Sequence, residues 1–368
     1  MQKVETFLPE RTIALLKKQN YALFGHSAVK VCHYTKTALQ NKAGCYKQKF
    51  YGIQSHQCIQ MSPSSSFCDQ KCTYCWRPTQ TFKPKFTRED GVLATAELVD
   101  DPHEIVEESI QAQLKQLSGF GGNENRNQVK FEQSKTPKHV AISLTGEPTL
   151  YPRLPELIDE YHAKGISTFL VSNGLHPEVL ERLIDHPPTQ LYLSVDTAKE
   201  EIHLKLNKPD FSGTFAKLRE SVLLLKKIPT RTVVRITVVK GHNDNHAKEF
   251  AEFALQGEPD FVEVKSYMHV GFSQYRLKAE NMCTWDELQA YANEIATHMG
   301  YVVKARDPSA LVVLLVHPDW KEKTTIINFK ALFENKTAQT ASPTATSSPV
   351  EPKQTESNSL VQIQMFNQ

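Results

Sequence analysis

From residue 139 onward, short apolar runs alternate with stretches whose apolar residues recur at helical spacing. The runs cover 140–144, 167–171, 191–195, 233–239 and 261–264. Between them the 3.6-residue period predicts helices over about 153–164, 177–185, 213–227 and 245–255. This alternation predicts βα units and a parallel sheet, whose strands, covered on both faces, read as nearly continuous apolar runs. Each run ends in small or polar residues: Thr145-Gly146-Glu147, Ser172-Asn173-Gly174, Asp196-Thr197, Lys240-Gly241 and Lys265-Ser266. A closed or partly closed α/β barrel collects ligands at such strand ends, so one rim is expected to carry the site. A helix over about 284–298 and apolar runs at 302–303 and 311–315 close the domain.

The N-terminal part has a different texture. Residues 10–19 predict a short helix before Gly25, and 103–117 a longer one. Residues 26–85 show no sustained period and read as loops with short helical pieces, ordered by metal ligands. The polar stretch 119–138 reads as a long loop. After about Glu334 the chain is rich in Thr, Ser, Pro and Gln, a composition that does not bury enough apolar surface to fold. The expected division is therefore an extension over 1–60, a barrel over 61–330 and a disordered tail over 335–368.

Of the 368 residues, 40% are hydrophobic and 23% charged, which suits an ordinary globular protein. No apolar run reaches the length of a membrane span, and the first residues lack a signal peptide's apolar core. A cytoplasmic protein with reduced thiols is expected. Charge is unevenly spread: residues 1–90 hold 14 Lys/Arg against 5 Asp/Glu, while the whole chain carries only +2. A basic region of this kind suits a polyanion such as nucleic acid, although a solvated basic face gives the same count.

Six of the seven cysteines fall between Cys32 and Cys75. Cys68, Cys72 and Cys75 form C-x3-C-x2-C, a loop that aims three thiolates at one object. A 4Fe-4S cluster held by three thiolates keeps one iron open. Structural zinc draws four ligands from two close pairs, and no second pair exists here. Cys32, Cys45 and Cys58, separated by twelve residues each time, form a second set of three. This implies a second cluster with an open iron. Cys283 stands apart and is expected to be a small packed side chain.

The C-x3-C-x2-C loop resembles the signature of radical S-adenosylmethionine (SAM) enzymes, and Gly146-Glu147-Pro148 resembles their motif that receives the methionine amino group. Tyr74, Ser172, Asn173, Ser194, Asp196 and Arg235 are then candidates for the rest of SAM. A closer resemblance follows from Cys45-Tyr46-Lys47-Gln48-Lys49-Phe50-Tyr51-Gly52-Ile53, Cys75-Trp76-Arg77-Pro78, the stretch 138–152 and Glu263-Val264-Lys265-Ser266-Tyr267-Met268-His269. Together these are similar to the 4-demethylwyosine synthase family over about residues 10–330.

The resemblance implies a partial (β/α) barrel with two 4Fe-4S clusters and SAM as cofactors. Cys68, Cys72 and Cys75 match the ligands of the SAM-binding cluster, and Cys32, Cys45 and Cys58 those of the auxiliary one. It implies a 5′-deoxyadenosyl radical that abstracts hydrogen from the methyl group of N1-methylguanosine beside the anticodon of phenylalanine tRNA. Pyruvate supplies two carbons, held by Lys47 as a Schiff base, with Lys49 the alternative. An external flavodoxin or ferredoxin is expected as electron donor, and a monomer as the working unit. Lys36, Lys42, Lys49 and Arg77 are expected to meet RNA phosphates. The competing readings are another radical SAM modifier of RNA, of methylthiotransferase type, and a zinc-stabilised RNA-binding module.

Overall fold

The computed structural model describes residues 1–340, with side chains to 334. The first compact unit runs Met1–Asn328 and contains a ten-stranded sheet. At one edge lie β1 (Ala22–Phe24) and β2 (Ser27–Val29), antiparallel to each other and to β3 (Cys58–Ser62). β3 begins a run of six parallel strands, continued by β4 (His139–Ile142), β5 (Ser167–Ser172), β6 (Gln190–Ser194), β7 (Arg231–Val238) and β8 (Phe261–Ser266). Beyond β8 the order is β10 (Val312–Val316), then β9 (Val302–Asp307), both pairings antiparallel. This is the partial barrel expected from the alternating pattern.

The helices are α1 (Glu10–Lys18), α2 (His33–Leu39), α3 (Tyr46–Tyr51), α4 (Pro102–Ser118), α5 (Gln128–Ser134), α6 (Leu154–Ala163), α7 (Pro177–Arg182), α8 (Glu200–Leu206), α9 (Thr214–Leu224), α10 (Ala247–Leu255) and α11 (Trp285–Met299). Local chemistry sets their ends. Asp101 caps α4 by accepting from the His103 amide, and Pro102 occupies its first turn, where the missing N–H costs nothing. Thr284 and Glu287 close a capping box on α11, and Gly300 ends it at φ 67°. A separate helix, α12 (Phe329–Thr340), opens the second unit. The tail expected from 335 onward lies outside the described residues after 340.

Strand side chains alternate between two environments. Val140, Ile142, Leu170, Leu191, Leu193, Val234, Ile236, Val262 and Val264 point outward into one core with Leu157, Ile158, Leu180, Val222, Phe250 and Ile295 of the helices. Burying each such side chain contributes about 1.5–3 kcal/mol. The intervening positions face the concave side and include Phe169, Tyr192, Arg235, Glu263 and Lys265. Pairing places Ser194, Arg235 and Glu263 in one row.

Several elements escaped the sequence pattern, the strands β1 and β2 and helix α12 among them. β3 alternates Cys58-Ile59-Gln60-Met61, half-buried and buried in turn, inside a stretch that reads as loop. The expected boundary at 60/61 therefore falls inside a strand of the sheet. α5 and α8 have seven residues each, too few to display a period. Asn127 starts α5 by accepting from the Lys130 amide, so the expected loop over 119–138 contains a helix.

His26 ties the β1–β2 hairpin to the segment leading into the cysteine loop. Its Nδ1 lies 2.5 Å from the Pro63 carbonyl, and its Nε2 accepts from the Asp100 amide at 2.9 Å. That pattern needs a neutral ring, and burial lowers its pKa from 6.5 to about 4 despite the nearby Asp100 carboxylate. Between those values the unfolded chain binds the extra proton. Stability from this group is thus full above pH 6.5 and is lost as pH falls toward 4. Denaturant midpoints measured from pH 7 to 4 are expected to fall less steeply for His26→Asn than for the native chain.

Candidate active site

The Cys68–Cys75 loop follows β3 and is fastened to one strand end after another. The Glu147 amide, beyond β4, donates to the Phe67 carbonyl at 2.7 Å. Asn173, beyond β5, donates through Nδ2 to Asp69 at 2.7 Å. Asp196, beyond β6, accepts from Tyr74 Oη at 2.5 Å and Asn207 Nδ2 at 2.7 Å, and the Thr237 amide reaches its other oxygen at 2.9 Å. The Thr73 amide donates to Leu206 at 2.8 Å, and Arg276 Nε reaches the Thr73 carbonyl at 3.1 Å. The strand ends that the sequence marks as cofactor contacts thus also hold the loop in place.

Gly146 sits at φ 76°, and a Cβ there would lie 2.2 Å from the Ser64 carbonyl and 2.5 Å from that of Phe67. The glycine is required by close approach of the chain itself, not only by a ligand. The Glu147 carboxylate accepts from the Thr149 amide and hydroxyl, Ser172 Oγ and the Asn173 amide. Burial, followed by the Asp69 charge, raises its pKa. Its bonds fix the ends of β4 and β5 relative to each other. His176 Nε2 lies 2.7 Å from Asp69. Burial opposes the charge of His176, yet the bond to Asp69 raises it to about 8.

Cys68, Cys72 and Cys75 are half-buried free thiols. Burial raises the pKa of each, while the amides of Gln70 and Arg77 and the Asn207 side chain donate toward sulfur and favour thiolate. Buried sulfurs with N–H donors around them are the surroundings an iron–sulfur cluster requires. Among the described residues, no three His, Cys, Asp or Glu side chains converge tightly enough for a single metal ion. An iron–sulfur cluster is wider and spreads its thiolates further apart.

The second set also comes together. Cys32 and Cys45 each occupy the residue before a helix, α2 and α3, with nearly identical backbone angles (φ −61°, ψ 147°; φ −62°, ψ 143°). Cys58 opens β3. The three thiols are near enough to act on one another electrostatically; burial leads in pushing Cys45 to about 11 and Cys58 to about 12. The donor set again suits a cluster.

Two residues beyond Cys45, Lys47 points into the concave face. It is 8% exposed, with Nζ 4.3 Å from the Tyr192 ring centroid and 5.4 Å from that of Phe169. Burial first, and the Arg235 charge second, lower its pKa. Lys49 lies on the exposed side of the same helix. Helical rotation thus separates the two lysines that spacing alone left open.

α3 is locked by a network that sequence reasoning missed. Glu263 is fully buried and accepts from Tyr46 Oη at 2.9 Å, Tyr51 Oη at 2.8 Å and Arg235 Nε at 2.9 Å. Arg235 also donates to Tyr46 Oη at 2.7 Å and lies over Tyr192 at 4.5 Å. Arg235, expected beside SAM, is thus committed to the lysine helix. Nearby Lys265 is lowered to about 8 by burial and by Arg235, and it donates to the Ala310 carbonyl. A glutamate and a lysine two apart in the apolar run 261–265 were the available signal, since buried strands tolerate charges only when paired.

Three further expectations resolve plainly. Cys283 is a packed side chain at 5% exposure. Lys42 and Lys49 are exposed and Lys36 half-buried. Arg77 is only 3% exposed, so it does not serve as a surface phosphate contact. No helix among the described residues is long and apolar enough to cross a membrane.

Loss of Asp196 has a defined consequence. Asp196→Ala leaves Tyr74 Oη and the Thr237 amide without their acceptor, at about 1–3 kcal/mol per stranded buried group, and takes from Asn207 Nδ2 the shortest of its contacts. Iron is expected to leave the loop several-fold faster under a chelator, followed by the loss of visible absorbance.

Comparison with known proteins agrees with this geometry. Residues 62–254 match the radical SAM superfamily, and residues 256–317 match a wyosine base formation family. The S-adenosyl-L-methionine-dependent tRNA 4-demethylwyosine synthase of Pyrococcus abyssi is 41% identical over 327 residues, covering 87% of this chain and 93% of that one. The Methanocaldococcus jannaschii protein of the same name is 37% identical over 319 residues, covering 85% and 98%. The solved structure of TYW1 with a lysine–pyruvate adduct bound superposes with a TM-score of 0.77 at 34% identity, covering 87% of this chain and all of that one.

Proposed function

The chain belongs to the radical SAM tRNA 4-demethylwyosine synthases, and on that premise we propose that it joins pyruvate to N1-methylguanosine beside the anticodon of phenylalanine tRNA, with Lys47 holding the pyruvate. The observation that carries this reading is the position of Lys47, buried on an aromatic floor between Cys45, Cys58 and Arg235. Desolvation favours the neutral amine, the form that attacks a carbonyl. The amine and the keto group of pyruvate condense with loss of one water to give the imine. A relative solved with a lysine–pyruvate adduct supports this assignment.

Cys68, Cys72 and Cys75 hold the SAM-binding cluster in this reading, and Cys32, Cys45 and Cys58 hold the auxiliary one. When bound, the clusters and SAM supply an electron, drawn from an external flavodoxin or ferredoxin, and a radical able to take hydrogen from a methyl group. The protein's own residues do the positioning. Glu147, Asn173 and Asp196 fix the loop that carries the first cluster. Glu263 and Arg235 hold α3, so Lys47 keeps one direction. The exposed lysines Lys42 and Lys49 suit RNA phosphates, which set position without reading sequence.

The test is nucleoside mass spectrometry. Phenylalanine tRNA carrying N1-methylguanosine is incubated anaerobically with reconstituted protein, SAM, a reductant and labelled pyruvate. A tricyclic nucleoside with two labelled carbons is expected. SAM cleavage with unchanged tRNA would remove the substrate assignment and favour another radical SAM modification.

A further inference from the structure

Trp76 follows Cys75 directly, yet 46% of it is exposed. Behind its ring, at 3.5 Å from the centroid, lies the guanidinium of Arg77, which also sits 5.3 Å from the Tyr21 ring. Lys30 Nζ in turn lies 4.9 Å from Tyr21. Aromatic and cationic groups therefore alternate in one row, with the indole at its open end. Arg77 is 3% exposed, and among the described residues its Nε and Nη2, with Tyr21 Oη, have no hydrogen-bond partner. The buried guanidinium is held by ring faces, an arrangement that fixes the indole from behind.

A second segment grips the same backbone. The Phe272 amide donates to the Trp76 carbonyl at 3.1 Å. Gly271, at φ 59°, packs so closely that a Cβ would lie 2.5 Å from that carbonyl. Arg276 bonds the Thr73 and Cys75 carbonyls. Between these anchors Tyr275 projects with 84% of its surface exposed, its ring 5.9 Å from Phe272. Two outward-facing aromatics thus stand on fixed backbone beside the cysteine loop.

Arg77 and Lys30 back the first segment, in the N-terminal region that holds 14 Lys/Arg against 5 Asp/Glu, and Arg276 lies in the second. An aromatic face in a positive surround suits the planar base of a polyanion better than an apolar peptide. A base that reacts beside a buried cluster must also leave its stack first. We propose that Trp76 and Tyr275 form a stacking lip that receives unstacked anticodon-loop bases of the substrate RNA as the target nucleotide enters the site. This rests on the tRNA reading above and adds the residues that hold the opened loop. Stacking tolerates any base, so the lip contributes affinity rather than sequence choice.

The experiment uses the full chain, anaerobically reconstituted, and a fluorescent phenylalanine tRNA transcript carrying N1-methylguanosine. Trp76→Leu is expected to bind about tenfold more weakly, Tyr275→Ala about fivefold, and Trp76→Phe within about threefold of the native chain. Iron content and RNA-free SAM cleavage stay level, which separates a stacking role from a structural one. If Trp76→Leu loses iron, the exposed Tyr275→Ala decides. Native affinity in both variants overturns the lip and leaves the tRNA reading standing. A native chain that itself fails to bind the tRNA overturns both.

Discussion

Lys47→Ala is expected to retain its iron and cleave SAM at the native rate, while tricyclic nucleoside falls at least about a thousandfold. The argument is geometric. Lys47 is buried against Tyr192 and Phe169, and the only other lysine on α3, Lys49, faces solvent. Lys265 reaches the same region but is engaged by the Ala310 carbonyl. Lys49→Ala is therefore expected to stay within about twofold of native turnover. Borohydride trapping with labelled pyruvate, followed by peptide mapping, should place the label on Lys47 alone. Label on Lys265, or product at the native rate from Lys47→Ala, would remove Lys47 from the mechanism.

The second large effect separates the two cysteine sets. Cys72→Ala is expected to abolish SAM cleavage, because the loop then lacks one of the thiolates that leave an iron open for SAM. Cys45→Ala should still cleave SAM yet yield no tricyclic product, since Cys45 adjoins Lys47 and not the loop fastened by Asp196. Each variant should lose about four iron atoms per chain. If Cys45→Ala kept all its iron and its product, Cys32, Cys45 and Cys58 would be packed thiols and the auxiliary cluster would fall. The two readouts, cleavage and condensation, are measured on the same preparation.

The network on Glu263 explains why the effects at Lys47 and Cys45 should be sharp. A fully buried carboxylate with three donors holds α3 against β7 and β8. The same low-polarity surroundings that require this pairing also disfavour the charged form of Lys47. The fixed position of Lys47 and its lowered pKa therefore have one physical source.

Much was determined by the sequence alone. The strands 140–144 through 261–264 and, α8 apart, the helices between them follow from periodicity, and the two cysteine sets follow from spacing. Tertiary structure decided what depends on direction. Lys47 and Lys49 stand two residues apart, and only the rotation of α3 sends one inward and the other to solvent. Arg77 reads as a surface cation, but packing between Trp76 and Tyr21 buries it. Arg235 sits at a strand position that suited SAM, and pairing with Glu263 draws it to the lysine. β3 was hidden because two of its side chains, Cys58 and Gln60, are polar and half-buried, which leaves too few apolar positions to display a period. Local spacing fixes which residues share a loop or a face; which of them meet across the barrel depends on contacts more than a hundred residues apart in the chain, such as Tyr46 with Glu263 and Tyr74 with Asp196.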